Sequence, residues 1–185
     1  MTPPILIGVV AYETCGWFYQ QYQRRAGYAQ AEAEARRRHK PFLVGGEPMG
    51  EYPCPSGPQD VLVDLVAQSA CSNHVRTSVE DLGVFGAGQF GAAFVSFTLE
   101  MVCDPQQAIR ELHRVADCVF VVYSAPWRLS GYLLPARKWT ITRNQAGGLD
   151  FHALPGKRCN MPTRYGTERA TAFGAFGAIP EVPTG

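Results

Sequence analysis

The stretch PFLVGGEPMGEYPCPSGPQDVLVDL, Pro41 to Leu65, decides how the rest of the chain is read. It opens as an apolar strand running into Gly45 and Gly46, and it closes as a second apolar strand ending in Asp64. A nucleotide-binding strand-helix-strand unit has the same start and end, with an acid about twenty residues beyond its glycines. Where that unit places its helix, this chain has Pro48, Pro53, Pro55 and Pro58. Each proline removes an amide donor and clashes with the preceding turn, costing about 3 kcal/mol in a helix interior. The stretch therefore predicts two adjacent parallel strands joined by a direct crossing loop.

Further along, FGAAFVSF (Phe90 to Phe97) and CVFVVYSAP (Cys118 to Pro126) are near-continuous in apolar residues. Such strands are buried on both faces, the signature of a parallel sheet. Between them DPQQAIRELHRVAD begins with Asp104 as N-cap and Pro105 at the first helical position, with Ala108, Ile109, Leu112 and Val115 on one face. Strand, helix and strand make a βαβ unit. Sheets of this kind bind ligands beyond the carboxyl ends of their strands, at a topological switch point. Gly45, Gly46, Asp64, Glu80, Asp81 and the run Ser96 to Glu100 are the candidates there, with Tyr123 and Ser124 at the end of the last strand. Asp64 suits a ribose diol, because one carboxylate accepts from two adjacent hydroxyls.

The segment SVEDLGVFGAGQFGAAFVSFTLEMVCDPQQAIRELHRVADCVFVV resembles the S-adenosylmethionine-dependent class I methyltransferases. The subgroup is the one with an Asp-Leu-Pro-Phe, Phe-Asp, Leu-Glu-His and Arg-Glu-Leu-x-Arg-Val progression, and the likeness extends from Pro41 to Ile141. The resemblance implies an α/β fold with a Rossmann-like, mostly parallel sheet, here reduced by loss of the first sheet-covering helix. It implies S-adenosylmethionine as the cofactor if one binds. Glu80 and Asp81, within Val79 to Leu82, fall where the family contacts adenine, Asp64 where it holds the ribose, and the TLEMV run behind Ser96 where the methyl acceptor enters. Gly45, Gly46 and Ser96 complete the cofactor set; no catalytic residue and no metal ligand is assigned.

Four departures from the family pattern stand out. The first loop reads Gly45-Gly46-Glu47-Pro48-Met49-Gly50 instead of a G-x-G-x-G run, and the prolines follow it. Phe90-Gly91 replaces Phe-Asp, and Phe97 and Met101 stand where histidines often flank the Leu-Glu step. Two functional expectations follow. The first is a degenerate methyltransferase-fold protein that serves as a structural or binding component of a larger assembly or at a membrane. The alternative is an active methyltransferase acting on an unknown acceptor.

The ends frame a central domain, 41–154, with an N-terminal segment, 1–40, and a Gly/Pro-rich arm, 155–185. Ile5 to Tyr19 is apolar apart from Glu13 and is followed by aromatics and then Arg24 and Arg25, an order that resembles a membrane edge. A span needs about twenty apolar residues, and no basic residue precedes the run as in a secretory leader. A membrane anchor, a helix docked on the domain or on a partner, and a cleaved signal all stay open. QRRAGYAQAEAEARRRHK reads as a long solvated helix with Glu32–Arg36 and Glu34–Arg38 at the i, i+4 spacing. Its Arg36 to Lys40 run complements the helix dipole or touches phosphate or anionic lipid. GYLLPARKWT offers an aromatic and basic edge from Tyr132 to Trp139. The arm, with its AFGAFGA around Phe173 and Phe176, has no sustained period and reads as irregular, ordering against a protein partner.

Charge and cysteines set the remaining bounds. The 185 residues are 46% apolar and 18% charged with a formal charge of +1, so a global nucleic-acid footprint is excluded. Six cysteines without a CxxC pair read as reduced thiols of an intracellular protein, with membrane association left open by the N-terminal segment. Cys54, Cys71 and His74 give the best metal-like spacing, but as ligands of unlike context they read better as ordinary core and loop residues.

Overall fold

The computed structural model describes residues 4–46, 53–66, 71–125, 128, 133–145, 147–156, 164–166 and 171–173. In chain order the elements are α1 (Pro4–Arg37), β1 (Phe42–Gly45), β2 (Val61–Asp64), β3 (His74–Arg76), β4 (Ala92–Ser96), α2 (Pro105–Val115), β5 (Val119–Val122), β6 (Trp139–Arg143), β7 (Leu149–Ala153), β8 (Arg164–Gly166) and β9 (Thr171–Phe173). Six strands form a parallel sheet in the order β3-β2-β1-β4-β5-β9. The mostly parallel Rossmann-like arrangement expected from the sequence is present. β6, β7 and β8 form a separate antiparallel sheet.

Alternation along the strands builds two cores, because successive side chains leave a sheet on opposite faces. Leu43, Val63, Ala93, Val95, Val119 and Val121 point to one face, where they meet Ala108, Ile109, Leu112 and Val115 of α2 and Ile141 and Phe151 of the second sheet. Phe42, Val44, Leu62, Phe94, Phe120 and Val122 point to the other, where they meet Tyr28, Ala31 and Ala35 of α1. α2 starts as its sequence predicts: Asp104 caps it by accepting from Gln107 N at 2.8 Å, with Pro105 in the first turn.

Right-handed crossovers explain the division of labour. β4 to β5 moves one way across the sheet and carries α2 on one face, so β1 to β2 and β2 to β3, moving the other way, cross on the opposite face. No helix occurs in the described parts of either connection; residues 53–60 hold only a turn. α1, which precedes the sheet, covers that face instead.

α1 is 34 residues long, about 51 Å, and it runs antiparallel to β4. Ala35 lies against Gly91 just before β4, where a Cβ would come within 3.0 Å of Ala35 Cα. Tyr28 packs edge-on against Phe42 and Phe94, with ring centroids 5.2 and 5.7 Å away. Arg24 stands over the ring of Phe97, beyond the carboxyl end of β4, at 5.0 Å. Everything before Arg24 therefore projects past the carboxyl edge of the sheet. The charged helix is thus not solvated throughout, as the sequence reading has it; one stripe of it is core. The predicted pairs form on its outer side, Arg36 with Glu32 at 3.3 Å and Arg38 with Glu34 at 2.6 Å.

Three other expectations are corrected. Cys54 and Cys71 are joined in a disulfide with Cα atoms 5.5 Å apart, so they are neither free thiols nor zinc ligands. The bridge links the two crossing connections on either side of β2, a proximity created by the parallel return of the chain. The arm is not wholly irregular: β8 extends the second sheet and β9 pairs with β5, Phe120 opposite Thr171 and Val122 opposite Phe173. Phe176 lies outside the described residues. The basic and aromatic edge before β6 is not an open surface either, since Arg137 and Trp139 are both buried and Trp139 Nε1 donates to Val102 O at 2.9 Å. Tyr132 lies outside the described residues.

Candidate functional site

β1 is the switch point, with β2 on one side and β4 on the other, and the carboxyl ends of these strands gather the sequence candidates. Gly45 ends β1 under the side chains of Val79 and Val95; a Cβ there would approach them to 2.8 and 2.7 Å. Gly46 has φ of +98°, a conformation that suits glycine, and its amide donates to Val63 O at 2.9 Å. Thr98 sits directly above the pair. Its hydroxyl donates to Gly45 O at 2.9 Å and would overlap any Cβ placed on Gly46. Among the described residues, the side chains of Val79, Val95 and Thr98 therefore pack against the glycine step.

Asp64 ends β2 in a half-buried position. One carboxylate oxygen accepts from Val66 N at 2.8 Å, an Asx turn that leaves the other oxygen without a partner among the described residues. Glu80 is engaged elsewhere, accepting from Asp104 N at the start of α2 and from Ser78 Oγ. Asp81 is exposed and accepts from Gly83 N at 3.3 Å. Ser96, buried at the end of β4, has a hydroxyl with no hydrogen-bond partner among the described residues. Gly45, Gly46, Asp64 and Ser96 thus share one edge, whereas Glu80 is turned toward α2.

Glu100 and Arg137 form the electrostatic centre on the β4–β5 side. Their side chains are 2% and 3% exposed and lie 3.3 Å apart. Arg110, ten residues on, bonds Gln107 on the exposed side of α2 and takes no part in this pair. Glu100 Oε1 also accepts from Ser124 N after β5, and Glu100 O accepts from Lys138 N and Trp139 N before β6. Burial pushes the Glu100 carboxyl up, opposed by Arg137 and the Ser124 amide. This carboxylate fastens the second sheet to the ends of β4 and β5.

Asp60, which sequence reasoning passed over, does the same work at the opposite edge. It is buried before β2, where it accepts from Phe42 N at 2.9 Å, Gly57 N at 2.7 Å and both terminal nitrogens of Arg36. Burial alone would raise its pKa; Arg36 and the two amides outweigh burial and hold it below the ordinary range. No local signal marks either residue, because their partners are distant in sequence. Arg37 pairs with Glu34, and Arg38 and Lys40 pair with Asp117, so these cations of the Arg36 to Lys40 run serve the fold.

Residues 58–117 match the family model described as a methyltransferase domain. This α/β fold is methyltransferase-like. The matched segment holds Asp64, Glu80, Asp81 and Ser96, while the glycine step lies just before it. No curated protein and no solved structure gives a significant match. The family generally binds S-adenosylmethionine, and the residues present meet that demand unevenly. An acid for the ribose is in place at Asp64, but the glycine step is covered by Thr98 and Glu80 is committed to α2. The described residues do not make a complete cradle for that cofactor.

Two of the departures in this methyltransferase-like domain now have a physical reason. Gly91 stands where the family keeps an acid because the backbone of α1 at Ala35 comes too close for a side chain. Phe97, with φ of 56°, turns its ring under Arg24 of the same helix. Both positions seat α1.

Proposed function

We infer that the chain is a methyltransferase-fold binding module, not a catalyst, which takes its place in a larger assembly or at a membrane through the projecting half of α1. The observation that carries this reading is Thr98 over Gly45 and Gly46, which fills the end of β1 that a methyl donor would need. The reuse of Gly91 and Phe97 to seat α1 supports it. So does the absence of a histidine beside Glu100: Phe97 and Met101 neither orient an acceptor nor move a proton. The C-terminal arm, already contributing β8 and β9, is a second route for protein contacts.

Calorimetry with S-adenosylhomocysteine is the test. No heat of binding is expected at millimolar ligand, and a micromolar titration would overturn the reading. Asp64 favours the second reading, an active enzyme on an unknown acceptor, because its open carboxylate oxygen remains at the carboxyl end of β2. On that reading Asp64→Ala would weaken cofactor binding by about 1–3 kcal/mol, the scale of hydrogen bonds to a charged group.

A further inference from the structure

The first five turns of α1 carry more exposed apolar surface than any other element described. Phe18 and Tyr22 are 62% and 69% exposed, and Ile7 and Val10 are 59% and 57% exposed. At about 100° per residue, the exposed apolar positions other than Val9 sweep from Trp17 and Val10 through Ile7, Phe18 and Tyr22 to Tyr19 and Tyr12, an arc of about 220°. The remaining arc, which carries the 40% exposed Val9, faces the domain. Glu13 and Gln20 point there and hold Arg128, which is only 7% exposed and bonds Glu13 Oε2 at 3.1 Å, with Leu133 beside it. An apolar concavity of about 620 Å³ lies between the helix on one side and Arg128 and Leu133 on the other.

The shape of this surface selects its partner. A protein groove grips a helix by one face, through anchors at i, i+3 or i+4 and i+7, and a coiled-coil seam is narrower still. Neither covers an arc of about 220° bearing bulky side chains at three consecutive positions, Trp17, Phe18 and Tyr19. A lipid phase does, since it surrounds whatever enters it. No helix among the described residues is long and apolar enough to cross a membrane, which leaves insertion along the interface. The aromatic content suits that depth, where amphipathic rings sit at headgroup level. From residue 7 to residue 22 the only charged side chain is Glu13, paired with Arg128, so the apolar arc carries no cation of its own, and the exposed Arg25 follows it at the end nearer the sheet.

We propose that the projecting half of α1 docks the domain on an electrically neutral lipid surface, lying in the interface with its wide apolar arc in the acyl region and the Arg128 side toward the domain. The carboxyl edge of the sheet, from which this half of α1 projects, then faces the membrane. The proposal rests on α1 as the docking element of the reading above. Cofactor calorimetry tests the other half of that reading, so the failure of either is told apart.

The experiment uses the full chain with phosphatidylcholine vesicles, half of them with brominated acyl chains. Co-sedimentation is expected, unchanged by 0.5 M salt as befits an uncharged contact (about 3 Å Debye length near 1 M). Brominated chains should quench the tryptophan emission, and Trp17→Phe should lose most of that quenching while still binding. Phe18→Asp, at an exposed site that leaves the core intact by circular dichroism, should weaken vesicle binding about tenfold or more. Binding confined to anionic vesicles and lost in salt would overturn the proposal. So would a protein that ignores vesicles, whether it is monomeric or self-associates through α1.

Discussion

Replacing both bridged cysteines by alanine, Cys54→Ala with Cys71→Ala, isolates the device that holds the two crossing connections together. The bridged residues are 17 apart in sequence. Closing a loop of that length removes unfolded-chain entropy worth about 3 kcal/mol. Little else changes in the folded state: Cys71 is buried among Phe42, Val44 and Leu62, and alanine keeps the site apolar at the cost of a small void. With a urea slope of about 2 kcal/mol/M, the unfolding midpoint should fall by about 1.5 M. Urea titrations followed by far-ultraviolet circular dichroism measure this directly. The same fall should appear when the wild-type protein is treated with a dithiol reductant, and reductant should leave the double variant unchanged. A wild-type midpoint that stays put after reduction is verified by mass would refute the reasoning, because loop closure would then contribute nothing.

Other perturbations separate packing from charge. Asp60→Ala should cost about 3–5 kcal/mol, since it strands Arg36 and two backbone amides around a buried site, whereas Glu32→Ala on the exposed side should cost under about 0.5 kcal/mol; chemical denaturation distinguishes them. Because the folded Asp60 carboxyl is held below its unfolded value, its contribution is complete above about pH 4 and is lost as pH falls through the folded pKa. Asp60→Asn should therefore show a flatter acid limb than the wild type. Arg137→Met leaves the buried Glu100 carboxylate unpaired and should cost about 3–5 kcal/mol at neutral pH. The folded Glu100 pKa is raised, so acidification neutralises the stranded group, and the deficit of the variant should shrink as pH falls toward 4, the unfolded carboxyl range. Gly46→Ala should destabilise by about 1–3 kcal/mol through its positive φ and the clash with Thr98; adding Thr98→Ala should recover the clash and leave the strain, read as a non-additive double-mutant cycle.

The parallel sheet was legible because it is written locally. PFLVGG, DVLVDL, FGAAFVSF and CVFVVYSAP are buried on both faces, and Asp104-Pro105 announces α2 within a few residues. The absence of a helix at residues 53–60 was legible for the same reason, since prolines act where they stand. β3, His74 to Arg76, was too short and too polar to signal itself, and β9 draws its order from β5 and not from its own three residues. The disulfide, Asp60 with Phe42 and Arg36, and Glu100 with Arg137 depend on the return path of the chain, which no local pattern encodes. The stripe on α1 was hidden differently: Gln20, Arg24, Tyr28, Ala31 and Ala35 have helical spacing, but their mixed polarity does not read as a buried face. Gly91 and Phe97, which looked like losses from a catalytic pattern, make sense only once that helix lies against them.

The placement of α1 also governs the order in which the molecule can be assembled. The helix leaves the ribosome before the sheet does, while Phe94, Phe97 and Val122, against which it must close, are synthesised much later. Tyr28, Ala31 and Ala35 therefore wait for their core contacts throughout most of translation, beside a leading half whose contact with the domain, through Arg128, is made later still. Until β4 and β5 are in register, the nascent chain presents this helix to whatever apolar surface is nearest. A lipid surface that captured the leading half at that stage would hold the docking stripe in place for the sheet to form against it, so that membrane delivery and folding would be one event.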